Sequence, residues 1–416
     1  MKPKRILLIA HNFSPELVGM GKYNGEMINW LLSFGLDCTV ITTFPYYPYW
    51  KVQAPYKNLW YKKETLINSE NLNTLRIYRC PSYIPKRPTG KSRSIQDISF
   101  FFSKFFVVLN LIITNKRFDY ILTVAPPFHL AFLGLLLKKI SGGKLVYHIQ
   151  DMQIEAARDL NLISNNWLLN ILFKAEKYIL KNANYVSSIS RGMIKKIEAK
   201  CDRNVLLFPN WVDTSAFYPI ENQKEIKISN GYKADDIIFL YSGSVGVKQG
   251  LEELIMSAEQ LIKYEHIKFI ICSSGPYKDL LEQQVLNKKL KNVAFWPVQE
   301  KDTFNTFLNM ADVHLVIQKA NAGDLVMPSK LTTILAVGGV SIITAQKNTS
   351  LYDLVEEYDF GYIVEPDNYN LLTEQILAVK LDEAFENKKI NARNYALEYL
   401  NIDSVMNTFL KSIDLY

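Results

Sequence analysis

The chain has 416 residues, 48% of them hydrophobic and 21% charged, with 48 Lys and Arg against 41 Asp and Glu for a formal net charge of +7. That length suits two or three domains with packed cores, and the composition excludes disordered and fibrous classes. Cys38, Cys80, Cys201 and Cys272 are scattered with no C-x-x-C pair, which predicts free thiols in a reducing cytoplasm with no disulfide framework or zinc site.

In chain order, the opening MKPKRILLIAHNF holds an apolar run too short for a signal-peptide core and reads as a buried strand, Arg5–Ala10. A loop with Gly19 and Gly21 follows, then a helix over Lys22–Phe34 and a strand over Cys38–Thr42. A G-x-G at a strand-to-helix turn lets backbone amides approach a phosphate. A plain structural turn accounts for the same residues, because Asn24 stands where a third glycine is needed. Between 76 and 117 the cations Arg76, Arg79, Lys86, Arg87, Lys91, Arg93, Lys104, Lys116 and Arg117 stand with one anion, Asp97. The net charge there is +8, and the rest of the chain sums to −1. Such a patch implies an anionic partner. Within it, Ile98–Thr114 carries Phe100, Phe101, Phe102, Phe105 and Phe106. The stretch falls short of the ~20 residues of a spanning helix. It reads either as a helix lying on an anionic membrane or as a plain buried helix. Tyr120–Val124, Lys144–Ile149, Tyr185–Ile189 and Val205–Phe208 read as strands, with helices over His129–Ile140 and Trp167–Lys181. His148 and Asp151 close the Lys144–Ile149 strand, where an α/β sheet places its ligands.

The segment FPNWVDTSAFYP at 208–219 has linker composition. A second alternating series follows: strands at Ile237–Ser242, Lys268–Cys272, Val293–Trp296, Val313–Ile317 and Ser341–Thr344, with helices at Glu252–Lys263, Tyr277–Leu290, Thr303–Met310 and Lys330–Val337. The predicted division is 1–207, a linker at 208–219, 220–390, and C-terminal helices over 391–416, with a break near Asn401. The expected fold class is α/β, two doubly wound Rossmann-like domains facing a cleft. The second domain opens on Gly243, Ser244, Gly246, Lys248 and Gly250, which suits an anionic group but is not a Walker A loop. Further on, Asp324 precedes Ser329 and Lys330 at a helix start, where hydroxyl, ammonium and free amides form an anion site; Ser329 as a simple N-cap explains the same position. D-x-D, H-E-x-x-H and G-x-S-x-G are absent, which leaves zinc hydrolysis and α/β-hydrolase chemistry unsupported.

Several runs carry a resemblance. They are Phe13-Ser14-Pro15-Glu16-Leu17 with Gly19, Gly21, Lys22 and Tyr23; Pro45-Tyr46-Tyr47-Pro48; His148-Ile149-Gln150-Asp151; Gly243 through Leu251; and Pro328-Ser329-Lys330-Leu331-Thr332 with Ile334 through Gly339. Pro209-Asn210-Trp211-Val212-Asp213 with Phe217 matches an interdomain linker pattern. Over nearly its whole length the chain resembles family 4 glycosyltransferases of the GT-B fold, and within them the bacterial colanic-acid-type fucosyltransferases. The resemblance implies retaining transfer from a nucleotide-diphosphate sugar, with no required metal or other cofactor. It implies that the second domain holds the donor and the first the acceptor, and that the C-terminal helices from Ala392-Arg393 cross back to the first domain. GDP-fucose is the implied donor and a polyprenyl-diphosphate-linked saccharide the implied acceptor, at the inner face of the cell membrane. Residues 76–117 would then dock a cytoplasmic, peripherally bound enzyme on anionic lipid.

The chain also departs from that family. The E-x7-E positions are Leu325 and Thr333, with Asp324 the nearest carboxylate; Ser244 replaces an Arg; Gln249 separates Lys248 from Gly250; and His148 stands three residues before Asp151. On this reading His148 and Asp151 orient sugar hydroxyls, while Lys248 and Lys330 offset charge on the leaving phosphate. Gly19, Gly21, Gly243, Ser244, Gly246, Asp324, Ser329 and Thr333 complete the donor contacts. Two alternatives stand beside it: the same fold with a UDP-sugar donor, and a non-catalytic subunit binding sugar nucleotides or lipid-linked glycans. No nucleic-acid recognition motif accompanies the basic patch, so no nucleic-acid partner is expected.

Overall fold

The computed structural model describes residues 3–415 except 17–18, 71, 87–88, 160–162, 164, 247–248, 274–275 and 321–327, and at 91, 159, 276 and 301 the backbone alone. Two compact units divide the chain: Met1–Phe208 with Phe409–Tyr416, and Pro209–Thr408.

Eight strands build the first unit: β1 (Arg5–Ile9), β2 (Asp37–Thr43), β3 (Lys62–Ile67), β4 (Thr74–Cys80), β5 (Tyr120–Ala125), β6 (Lys144–Ile149), β7 (Tyr185–Ser188) and β8 (Leu206–Leu207). Their order is β3-β4-β2-β1-β5-β6-β7-β8. All neighbours are parallel except β3 and β4. The central strands are apolar runs because helices cover both faces of a parallel sheet; Leu7, Leu8, Ile41, Ile121, Leu145 and Val146 are fully buried. The helices are α1 (Gly19–Ser33), α2 (Gly90–Ile113), α3 (Ala131–Ser141), α4 (Gln153–Asp159), α5 (Asn166–Asn182) and α6 (Arg191–Cys201). All four cysteines are free and buried.

The Phe-rich stretch is a helix with one face buried and the other exposed. Thr89 and Ser92 form a capping box that starts α2. Phe100, Lys104, Val108 and Leu111 bury its inner side, which packs against β2, β4 and α3. Ile95, Ile98, Phe102, Phe106 and Ile113 lie exposed on the other side, at the three- and four-residue steps of one helical stripe. From Ser92 to Ile113 this helix is long and apolar enough to cross a membrane by length and composition, longer than the apolar run predicted. The charge count needs a correction, because two of the seven cations whose side chains are described point inward. Arg79 pairs with Glu64 at 3.0 Å and donates to the Ser14 carbonyl at 2.9 Å. Lys104 donates to the Ala10 carbonyl and lies 3.5 Å from the centre of the Phe100 ring. Lys86, Arg93, Lys116 and Arg117 remain exposed.

The second unit has β9 (Ile237–Ser242), β10 (Ile267–Cys272), β11 (Val293–Trp296), β12 (Val313–Val316), β13 (Ser341–Thr344) and β14 (Gly361–Val364), all parallel in the order β11-β10-β9-β12-β13-β14. Its helices are α7 (Gln223–Ser229), α8 (Glu252–Gln260), α9 (Pro276–Asn287), α10 (Lys301–Met310), α11 (Lys330–Ala336), α12 (Ser350–Tyr358), α13 (Tyr369–Ala378), α14 (Phe385–Tyr395) and α15 (Ile402–Ser412). Phe239, Tyr241, Phe269, Ile271, Leu315 and Ile342 centre its core. The linker-like residues are clipped to this unit: Arg393 donates to the carbonyls of Phe217 and Thr214 at 2.8 and 3.1 Å. Near the predicted break at Asn401, a π-helical turn over Ala396–Leu400 separates α14 from α15. Beyond Thr408 the chain belongs to the first unit, where Phe409 stacks on Phe208 at 3.7 Å and Tyr120 donates to the Ile413 and Asp414 carbonyls at 2.8 Å each.

Candidate active site

Each open sheet has a point where the connections reverse direction, and the crevice beyond the carboxyl ends of the strands there is the ligand position. In the first unit that point is β1 between β2 and β5; in the second it is β9 between β10 and β12.

Beyond β1 the loop wraps a buried carboxylate. Glu16 is 2% exposed and accepts the backbone amides of Tyr46 and Tyr47 at 2.8 Å each and the Asn12 side-chain amide at 2.8 Å. Burial raises its pKa and these hydrogen bonds oppose the rise. Gly21 is required by packing: a Cβ there would sit 2.6 Å from Glu16 Cβ. Gly19 opens α1 at φ +59°. His148 lies inside β6, 4% exposed, with Nδ1 3.0 Å from Ser187 Oγ and its ring 5.0 Å from Phe208. Burial lowers its pKa to about 3, so the imidazole is neutral. Asp151 follows β6 and is half-buried.

A cluster that the motifs did not flag stands beside these residues. His11 stands two residues beyond β1, and its Nε2 is 2.9 Å from the Tyr46 hydroxyl. Asp97 on α2 accepts from Gln153 at 3.4 Å, and its backbone carbonyl is 3.3 Å from His129 Nε2. Burial raises Asp97 to about 6 and lowers His129 to about 4. Burial and then Lys104 hold His11 well below its ordinary value. The rule that drew attention to His148, a polar residue at a strand C-terminus, also marks His11.

In the second unit Lys330 is the centre. Its ammonium nitrogen is buried with no hydrogen-bond partner among the described residues, 3.4 Å from the centre of the Tyr241 ring. Burial alone lowers its pKa, to about 7. Gly243 at φ +141° leaves the room: a Cβ there would lie 3.1 Å from Lys330 Cε and 3.3 Å from Nζ. The Tyr241 hydroxyl donates to the Ser244 carbonyl at 2.7 Å. Gly246 accepts from the Gln249 amide at 3.1 Å, closing the turn. Ser329 makes no side-chain cap bond to α11, so it does not act as the N-cap hydroxyl that the sequence allows. The Thr333 hydroxyl donates back to the Lys330 carbonyl at 3.0 Å. The structure thus brings Lys330, Gly243, Ser244 and Tyr241 together; Lys248 and Asp324 lie outside the described residues.

Three comparisons place this architecture among known proteins. Residues 222–397 match the family model described as glycosyl transferases group 1. A protein named for colanic acid biosynthesis, the glycosyl transferase WcaI of Escherichia coli (strain K12), is 36% identical over 98% of this chain and 99% of its own. Sucrose-phosphate synthase from Thermosynechococcus elongatus superposes with a TM-score of 0.74 at 15% identity, covering 99% of this chain and 98% of that one. Anabaena HepE, solved in complex with UDP, gives 0.70 at 13% identity over 99% and 100%. The chain belongs to the glycosyl transferases group 1 family and is a glycosyltransferase of the GT-B fold.

Proposed function

We propose that the protein transfers a sugar, L-fucose from GDP-fucose, onto a polyprenyl-diphosphate-linked saccharide in exopolysaccharide or capsule synthesis, with retention and without a metal. The observation that carries the donor side is the buried Lys330 amine, without a hydrogen-bond partner among the described residues and set against Gly243. A buried amine with no hydrogen bond is costly in the free protein, and a phosphate oxygen would satisfy it. The name of the 36%-identical relative supports a polysaccharide pathway. On this proposal the bond from sugar C1 to the phosphate oxygen breaks and the acceptor oxygen bonds to C1 on the same face. The acceptor proton passes to the leaving phosphate, whose growing charge Lys330 offsets. Asp151 orients sugar hydroxyls, while neutral His148 shapes the floor behind it. The UDP-sugar alternative draws support from HepE, a fold neighbour solved with UDP.

On the acceptor side, the exposed α2 stripe with Lys86, Arg93, Lys116 and Arg117 supports docking on an anionic inner-membrane face. Each cation near such a surface contributes ~1 kcal/mol. The test of the donor reading is Lys330→Ala. Removing one preorganised donor typically costs ~2.7–4 kcal/mol in the barrier, about 10²–10³-fold in kcat. We expect that loss with an unchanged circular-dichroism spectrum and melting profile. Near-normal turnover in the variant removes the assignment.

A further inference from the structure

The diphosphate reading leaves a physical question: what holds Lys330 in place when no ligand is bound. Its amine has no hydrogen-bond acceptor among the described residues, and it stands beside Gly243. The support comes from β9. Tyr241 is fully buried, and its ring centre lies 3.4 Å from the amine. Gly243 directly follows β9, and a Cβ there would lie 3.1 Å from Lys330 Cε, so Tyr241 and Gly243 both stand against the Lys330 side chain. The other end of the same tyrosine donates to the Ser244 carbonyl at 2.7 Å. Ser244 lies in the turn that continues through Gly246 and Gln249 to Gly250.

We propose that Tyr241 is the positioning residue of the donor-diphosphate pocket: its ring seats the Lys330 amine and its hydroxyl pins the glycine-rich turn, so one side chain sets both groups that meet the phosphates. The inference rests on the donor reading above. A ring face attracts the charged amine, about 2 kcal/mol when desolvated; an aliphatic side chain of equal burial leaves the desolvation unopposed. Among the described residues the titratable groups that face Lys330 are Tyr241 from β9 and His314 from β12, and burial lowers His314 to about 4, so it is neutral. Lys330 itself, lowered to about 7 by burial, is part-protonated near neutral pH. A bound diphosphate favours the ammonium, so binding takes up a proton and weakens as pH rises above 7.

The experiment is calorimetric titration of GDP, and separately UDP, into the full-length protein between pH 6 and 9. Wild type, Tyr241→Leu, Tyr241→Phe and Lys330→Met are compared. Tyr241→Leu is expected to weaken nucleotide binding about 10- to 30-fold and to move the pH midpoint of binding downward, because the amine loses the ring that favours its charged form. Tyr241→Phe keeps the ring, so the midpoint stays while affinity falls about 3- to 10-fold through the lost Ser244 hydrogen bond. A merely structural tyrosine would not move the midpoint. If Lys330→Met binds weakly but Tyr241→Leu keeps wild-type affinity and midpoint, this inference is overturned and the donor reading stands. If Lys330→Met binds both nucleotides like wild type, the donor reading falls and takes the inference with it. Should Tyr241→Leu fail to fold, wild-type affinity in Tyr241→Phe overturns the turn-pinning role, and an unchanged midpoint in Tyr241→Met overturns the seating role.

Discussion

Lys104 and Lys330 are both amines taken out of water, and their partners separate their roles. Lys104 donates to a main-chain carbonyl and belongs to the packing of α2 on the sheet. Lys330 donates to no described residue. Replacing a buried charged group with an apolar one of similar shape is often neutral or stabilising. Lys330→Met is therefore expected to keep or raise the urea midpoint while losing turnover, whereas a stability loss of several kcal/mol would mark Lys330 as structural. Asp97 gives a pH test. Its folded pKa, about 6, is above the ordinary carboxyl value of 3.8. The folded state therefore binds the proton more tightly, and stability falls as pH rises from about 4 to about 6. Asp97→Asn removes that cost: denaturant melts should find it more stable than wild type at pH 7.5 and equal to it at pH 4. Gly21→Ala drives a methyl group into Glu16, and we expect a loss of about 1–3 kcal/mol in the same melts.

The element scale shows which parts of the fold local pattern reveals. Apolar runs such as Arg5–Ile9 and Ile237–Ser242 announced themselves because a doubly covered parallel strand is apolar throughout. β3, with the sequence KKETLI, did not, since an exposed edge strand needs no buried face; β14 is only four residues and begins with Gly361. Glycine and lysine spacing led to Lys330 and Gly243, whereas Tyr241 was hidden because its role depends on a residue 89 positions away meeting its ring. The two faces of α2 were ambiguous for a similar reason. Phe100 and Phe102 are the same residue type, and only the helical phase buries one and exposes the other. The outer stripe gives this element its own prediction. Replacing Phe102 and Phe106 with Ser should cut sedimentation with anionic phosphatidylglycerol vesicles at least tenfold, since each buried Phe is worth about 1.5–3 kcal/mol. Unchanged sedimentation, or no sedimentation of wild type at low salt, counts against a membrane role.

For the whole molecule, two open, largely parallel sheets of unequal size each present a crevice at a reversal point. Neutral buried histidines occur in both units, His11 and His148 in the first and His314 in the second, while the buried Glu16 carboxyl lies in the first and the Lys330 amine beside Gly243 in the second. The most direct measurement is nucleoside-diphosphate release by the purified full-length protein from a panel of GDP-fucose, other GDP-sugars and UDP-sugars, each with wild type and Lys330→Ala. The account predicts release fastest from GDP-fucose and at least 100-fold slower in the variant. Release from no donor, or equal release by both proteins, would contradict it.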